Sequence, residues 1–232
     1  MTSRSVDPEL LHRTVVRLEQ RVATLFPEAG LRTVARELID VTACAKDVCR
    51  RIGKPIYLLR VPIVLLLVGV FALIVFELAI HRFGEVNTGL DFIQVLEPTL
   101  GAIFFLAALV AFLLSLETRW KRRRALDALH ELRAMAHVVD LHQLTKDPTD
   151  RHMGEARMPP DNRPLTAEEL TRYLDFCSEM LSLIGKVAVL YIQDFPDDVA
   201  VTTVDEIESL TNGISRKIWQ KITLIRREQP GR

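Results

Sequence analysis

The chain has 232 residues, of which 49% are hydrophobic and 26% are charged, and its formal net charge is zero. Within these averages lie two apolar runs: Val61–Ile80 holds one charged residue, and Thr99–Leu116 holds none. Each run has the ~20 apolar residues that a helix needs to cross ~30 Å of hydrocarbon, which excludes a purely soluble protein. The three cysteines are too few and too irregularly spaced for a secreted disulfide scaffold, and they suit a reducing compartment.

The first 54 residues predict a cytoplasmic helical hairpin. Asp7-Pro8-Glu9 has the residue order of a helix start, with an N-cap acid followed by proline in the first turn. Apolar residues then recur at steps of three and four until Phe26-Pro27, where the residue before proline avoids the helical conformation. A second helix is expected from about Pro27 to Arg51.

Residues 55–80 and 99–116 are predicted to be transmembrane helices, joined by a short external loop at 81–98. Residues 1–60 carry eleven Lys or Arg and residues 117–124 carry five, whereas the loop carries one. Because basic residues concentrate on the cytoplasmic side of a membrane, both termini are expected to be cytoplasmic. Glu77 is a candidate intramembrane acid, either in a conduction path or reaching the headgroups.

Residues 117–146 are predicted to form a cytoplasmic stalk that continues the second span as one helix from about Pro98 to Thr145. The segment Thr118–Thr145 contains no Gly or Pro and consists mostly of good helix formers. One face of the stalk carries an apolar stripe, which predicts self-association of a coiled-coil kind. The stripe consists of Leu126, Leu129, Leu132, Ala136 and Val139.

Residues 147–165 are predicted to form a proline-rich linker, and residues 166–232 are predicted to form a second helical hairpin, also cytoplasmic. Thr166–Glu169 and Thr203–Glu206 both read as capping boxes, with Thr at the N-cap and Glu three residues later. The β-branched segment Val199–Thr203 suggests a short extended piece. The predicted fold is therefore all-α, with two transmembrane helices, the second continuing into a long stalk, and a cytoplasmic helical bundle.

Two groups of polar residues on the stalk are candidate sites. His130, Arg133, His137 and Asp140 fall within an ~80° arc beside the apolar stripe. Histidine and carboxylate one turn apart can bind a metal or share a proton, but the same residues can also form a structural network that fixes helix register. No metal or cofactor is predicted.

The second group is the basic run next to the membrane, which is expected to contact anionic lipid. Its members are Arg119, Lys121, Arg122, Arg123 and Arg124. The aromatic residue within the run, Trp120, stands where an interfacial anchor is expected. Nucleic acid is therefore not predicted as a partner, and the lipid bilayer is.

The stretch Leu116–Pro148 resembles one found in uncharacterised bacterial proteins with two transmembrane helices and a helical cytoplasmic region. The similarity extends through Tyr173–Ile184 and Ile214–Ile222. The resemblance implies a bacterial inner membrane location and the two-span architecture, and it implies no activity.

Three functions remain open from the sequence. The first is a non-enzymatic, homo-oligomeric membrane protein that acts by assembly or by binding a cytoplasmic protein partner, as a scaffold, sensor or effector. The second is a small homo-oligomeric channel with Glu77 and residues 85–97 at its external mouth. The third is a membrane-bound metal-dependent enzyme that uses the cluster around His137.

Overall fold

The structure is a computed structural model that describes the backbone of residues 5–52, 57–81, 89–145 and 165–227. Side chains are described in the same ranges except at 51–52, 57–59, 74, 77–81, 89–99 and 102. The side chain of Glu77, residues 82–88 of the predicted external loop and the linker up to residue 164 therefore lie outside the described residues, whereas residues 89–98 of that loop are helical.

Within these ranges the chain forms six α-helices and no strands, which confirms the all-α prediction. The helices are α1 (Pro8–Leu25), α2 (Gly30–Ile52), α3 (Tyr57–His81), α4 (Gly89–Leu144), α5 (Ala167–Gln193) and α6 (Asp198–Arg227). They divide into two compact units, one of residues 1–53 and 124–232 and one of residues 54–123. We call the first unit the bundle and the second the apolar unit.

Helix α5 is the central helix of the bundle, because it packs against α1, α2 and α6. It begins as the sequence predicts: the Thr166 hydroxyl accepts from the Glu169 N–H at 3.2 Å, and the Glu169 carboxylate accepts from the Thr166 N–H at 2.8 Å. Buried side chains then point to most sides of the helix. The exposed positions that remain form one narrow strip.

The N-terminal hairpin is held to α5 by its apolar faces. The Asp7 carboxylate accepts from the Glu9 N–H at 2.9 Å, which confirms the predicted N-cap. At the turn between α1 and α2, Phe26 packs edge-on against Tyr173 and Phe176 of α5, with ring centroids 5.4 and 6.2 Å apart. The proline turn therefore also supplies an aromatic anchor to the core.

Helix α6 begins earlier than the sequence predicts. Residues 199–203 are helical, so the expected extended piece is wrong, and Thr203 bonds back to the Val199 carbonyl at 2.9 Å instead of capping a helix. The physical reason is Asp197, whose carbonyl accepts from the Val201 N–H at 2.8 Å and whose carboxylate accepts from the Ala200 N–H at 3.3 Å. This local cap outweighs the weak β preference of the following residues.

Helix α4 begins at Gly89, earlier than predicted, and continues without interruption to Leu144. In the bundle its apolar stripe is covered: Leu129, Leu132, Ala136 and Val139 are fully buried, and Leu126 is partly buried. The stripe that predicted self-association is thus occupied inside the bundle of a single chain.

The apolar unit contains α3 and the first part of α4, and most of its described apolar side chains are exposed. Among the described residues, one helix, α4, is long and apolar enough to cross a membrane. The described apolar part of α3, Arg60–Leu73, is shorter. The part of the chain that the structure describes thus contains one candidate membrane-spanning helix where the sequence predicts two.

Candidate functional site

The four polar residues predicted as a stalk cluster reach different surroundings. His130 and His137 are exposed on α4, Arg133 forms an ion pair with Glu206 of α6, and Asp140 accepts from the Gln143 side-chain amide at 2.8 Å. In the part of the chain that the structure describes, no group of three or more His, Cys, Asp or Glu residues could hold a metal ion. The residues share a helix face without converging on one point.

The end of α4 is joined to α6 through polar contacts. The Lys221 ammonium donates to the backbone carbonyl of Gln143 at 3.2 Å, which places a cation at the carbonyl end of the helix. Gln143 is 1% exposed, and its side-chain oxygen is buried without a hydrogen bond among the described residues. Together with the Arg133–Glu206 pair, these contacts agree with a network that fixes the register of α4 against α6.

The basic run next to the apolar helix contains one buried member. The Lys121 ammonium lies 2.9 Å from a carboxylate oxygen of Glu117, whose side chain is 6% exposed. Arg119, Arg123 and Arg124 are exposed, and Arg122 is half-buried. Four of the five predicted lipid-contacting residues therefore keep accessible surface, while Lys121 is engaged inside the apolar unit.

Glu117 is a charged residue whose role the sequence does not reveal. Besides Lys121, it binds Arg60 of α3, whose Nε and Nη2 atoms lie 3.2 and 3.4 Å from its two oxygens. A carboxylate held by two cations joins the start of α3 to α4. The indication in the sequence is that Glu117 is the single acid in a run of basic residues and stands four residues before Lys121, at the spacing of a helical ion pair.

An open groove runs along the exposed strip of α5, with a volume of about 340 Å³. We call it the α5 groove. Its lining comes from three helices: Arg21 of α1, Trp219 of α6, and Arg172, Asp175, Phe176, Ser178, Glu179 and Ser182 of α5. Trp219 is 54% exposed, although the large apolar ring of a tryptophan usually packs against other apolar groups.

The α5 groove contains both charged and aromatic side chains. Arg21 binds Glu179 through two contacts of 2.8 and 3.1 Å, and its guanidinium carbon lies 5.0 Å from the centre of the Phe176 ring. Burial raises the pKa of the Asp175 carboxyl above its usual range, while Arg226 acts in the opposite direction. Exposed aromatic and arginine side chains in a concave surface are typical of protein interfaces.

The α5 groove was not visible in the sequence because its residues lie on three separate helices. The one available signal was Trp219, which directly follows Ile218 of the buried face and so stands on the polar face of α6. An aromatic residue at such a position is a useful indication of a binding surface.

The chain was also compared with protein-family models, with curated proteins and with solved structures, and none of them matches it. The function is therefore argued from the geometry of these sites.

Proposed function

We propose that this protein is a non-enzymatic assembly protein of the bacterial inner membrane. In this proposal, α3 and the apolar part of α4 form a two-span hairpin with both termini in the cytoplasm. The bundle is the cytoplasmic part, and it binds a protein partner as a scaffold, sensor or effector.

Membrane anchoring is supported by the apolar surface of the apolar unit. Large apolar side chains are exposed on both of its helices, far beyond the patch that a soluble monomer usually presents. They include Leu65, Phe71 and Phe76 of α3 and Phe104, Phe105 and Phe112 of α4. Hydrocarbon is the solvent that makes such surfaces favourable.

The hairpin arrangement is supported by the ion pair between Arg60 and Glu117. Arg60 precedes the apolar run of α3, and Glu117 follows the apolar run of α4. Contact between these two ends agrees with antiparallel spans whose basic flanks lie at the same membrane face, which for basic residues is the cytoplasmic face.

Partner binding is supported above all by the α5 groove. Trp219 and Arg21 belong to the residue types that dominate binding energy at protein interfaces. They stand beside a concavity on a packed helical framework, so little conformational order has to be created on binding.

Site-specific photo-cross-linking in cells tests this function. A benzoyl-phenylalanine at position 219 should form a discrete adduct, and one at position 224 should not. Leu224 is the matched control because it is 53% exposed on the same helix but does not line the α5 groove. An adduct of twice the 26.4 kDa chain mass would identify a second copy as the partner.

The adduct should weaken in Glu179→Ala, which removes the groove's link to Arg21. Equal cross-linking at positions 219 and 224, or none at either, would contradict partner binding through this surface.

A further inference from the structure

Asp175 is distinguished by its lack of a partner within the α5 groove. Arg21 is paired with Glu179, and Arg172 is paired with Glu168 at 3.2 Å. Asp175 makes no hydrogen bond or ion pair with any residue that the structure describes. It is the carboxylate in the groove that remains available as an acceptor.

The charges that face Asp175 come from all three helices of the groove. Arg172 and Glu179 lie on α5, Arg21 reaches in from α1, and Arg226 acts from α6. Arg226 has the largest effect of these charges, and Arg21 and Arg172 are each bound by a glutamate. Because partial burial disfavours the charged form of Asp175, a cation that arrives from outside would relieve an existing cost.

Aromatic surface is present for such a cation. Trp219 lines the same groove with about half of its surface accessible, and indole is the ring that attracts cations most strongly. A contact between a cation and an aromatic ring already exists beside it, where the Arg21 guanidinium lies over the Phe176 ring. The volume of about 340 Å³ accommodates more than one side chain, so we expect the groove to bind a segment of a partner and not an isolated group.

We propose that the α5 groove binds a basic segment of a partner protein and receives a lysine or arginine side chain between the Asp175 carboxylate and the Trp219 ring. This inference rests on the proposed function and adds the chemistry of the partner.

Tryptophan fluorescence of the full chain can test the inference. The chain has two tryptophans, so Trp120→Phe leaves Trp219 as the reporter. The probes are a capped arginine-containing peptide and its citrulline twin, which has the same shape without the charge. The protein is held in phosphatidylcholine nanodiscs, so that basic peptides meet no anionic lipid.

The arginine peptide should bind about five to ten times more tightly than the citrulline peptide. The preference should disappear in Asp175→Asn and persist in Asp175→Glu, which keeps the charge. It should also persist in Asp205→Asn, the same chemical change at an exposed position of α6 that does not line the groove.

Equal binding of the two peptides, tighter binding of a glutamate-containing peptide, or a preference that survives Asp175→Asn would overturn the inference. The two proposals fail separately. If position 219 cross-links to a partner in cells while arginine and citrulline bind equally, the partner is not recognised by a cation. If arginine is preferred while no cross-link forms in cells, the chemistry holds and the proposed function is wrong.

Discussion

The three cysteines have very different surroundings, although the sequence spaces them without any pattern. Cys44 is exposed, and Cys49 and Cys177 are buried. Burial raises the pKa of the Cys49 and Cys177 thiols to about 12, so almost no thiolate, the reactive form, exists there at neutral pH.

We therefore expect one fast-reacting thiol in the folded protein. Iodoacetamide at pH 8 should modify Cys44 quickly, and Cys49 and Cys177 only after addition of denaturant. Peptide mass spectrometry of a time course measures the three rates. Rapid modification of Cys177 in the absence of denaturant would contradict the packing of α5.

The same buried groups predict that alkali destabilises the bundle. Their folded pKa values exceed that of an unfolded thiol, which is about 8.5, so the protonated form favours the folded state. This contribution is complete below about pH 8.5 and is lost as the pH rises. At pH 10 the loss from Cys177 alone is about 2 kcal/mol.

Thermal unfolding followed by circular dichroism between pH 8 and pH 10.5 measures this effect. The unfolding temperature should fall throughout that interval, and the fall should be smaller in Cys177→Ala measured against its own value at pH 8. An unfolding temperature that is constant up to pH 10.5 would contradict the prediction.

Among the helices, the contact between α3 and α4 depends on Glu117. Replacing it with glutamine would leave Lys121 buried without its counter-ion, and breaking a buried pair in this way costs about 3 kcal/mol. Arg60→Gln should cost much less, because the Arg60 side chain is half exposed and its contact is screened by solvent.

Thermal unfolding in detergent of the two single variants tests this ordering. A double variant, Glu117→Gln with Lys121→Met, should recover part of the loss, because no buried unpaired charge then remains. Equal losses in Glu117→Gln and Arg60→Gln would mean that the ion pairs are not buried in the folded protein.

The sequence was most informative where a helix is determined by neighbouring residues. Asp7 and Thr166 are caps because the required acceptors and donors lie within three positions of each other. At Val199–Thr203, in contrast, β-branched composition was misleading because the cap at Asp197 decides where α6 begins. The capping-box pattern at Thr203–Glu206 was misleading for the same reason, because it lies inside a helix that an earlier cap had already started.

The sequence was least informative about what covers each apolar face. The stripe through Leu129 and Val139 is a face that must be buried, but its periodicity is the same for a second copy and for a helix of the same chain. The α5 groove was beyond reach for a related reason: Arg21, Asp175 and Trp219 come together only through the packing of three helices.

For the molecule as a whole, the proposed topology can be tested with thiols. Sequence alone would choose Cys177 as the cytoplasmic control, but a buried thiol does not react with a labelling reagent on either side of a membrane. Cys44 is the informative residue, because it is exposed on the bundle.

In intact cells, an impermeant maleimide should label Asn87→Cys in a Cys44→Ser background and should leave Cys44 of the native chain unlabelled. Asn87 belongs to the predicted external loop and lies outside the described residues. After permeabilisation, Cys44 should also react. Labelling of Cys44 in intact cells, with protection of the cysteine at position 87, would reverse the topology.

The bundle is built from two stretches of chain that are separated by the whole apolar unit. During synthesis, α1 and α2 emerge first, but α5, against which they pack, is complete only roughly 140 residues later. At ribosomal rates of about 5–20 residues per second, the apolar faces of α1 and α2 stay uncovered by α5 for about seven to thirty seconds. Under the proposed topology, the apolar unit enters the bilayer during this interval, so insertion precedes closure of the bundle. A nascent chain arrested before α5 would thus present a hairpin whose apolar faces are not covered, which makes chaperone binding to α1 and α2 an expected step in the biogenesis of this protein.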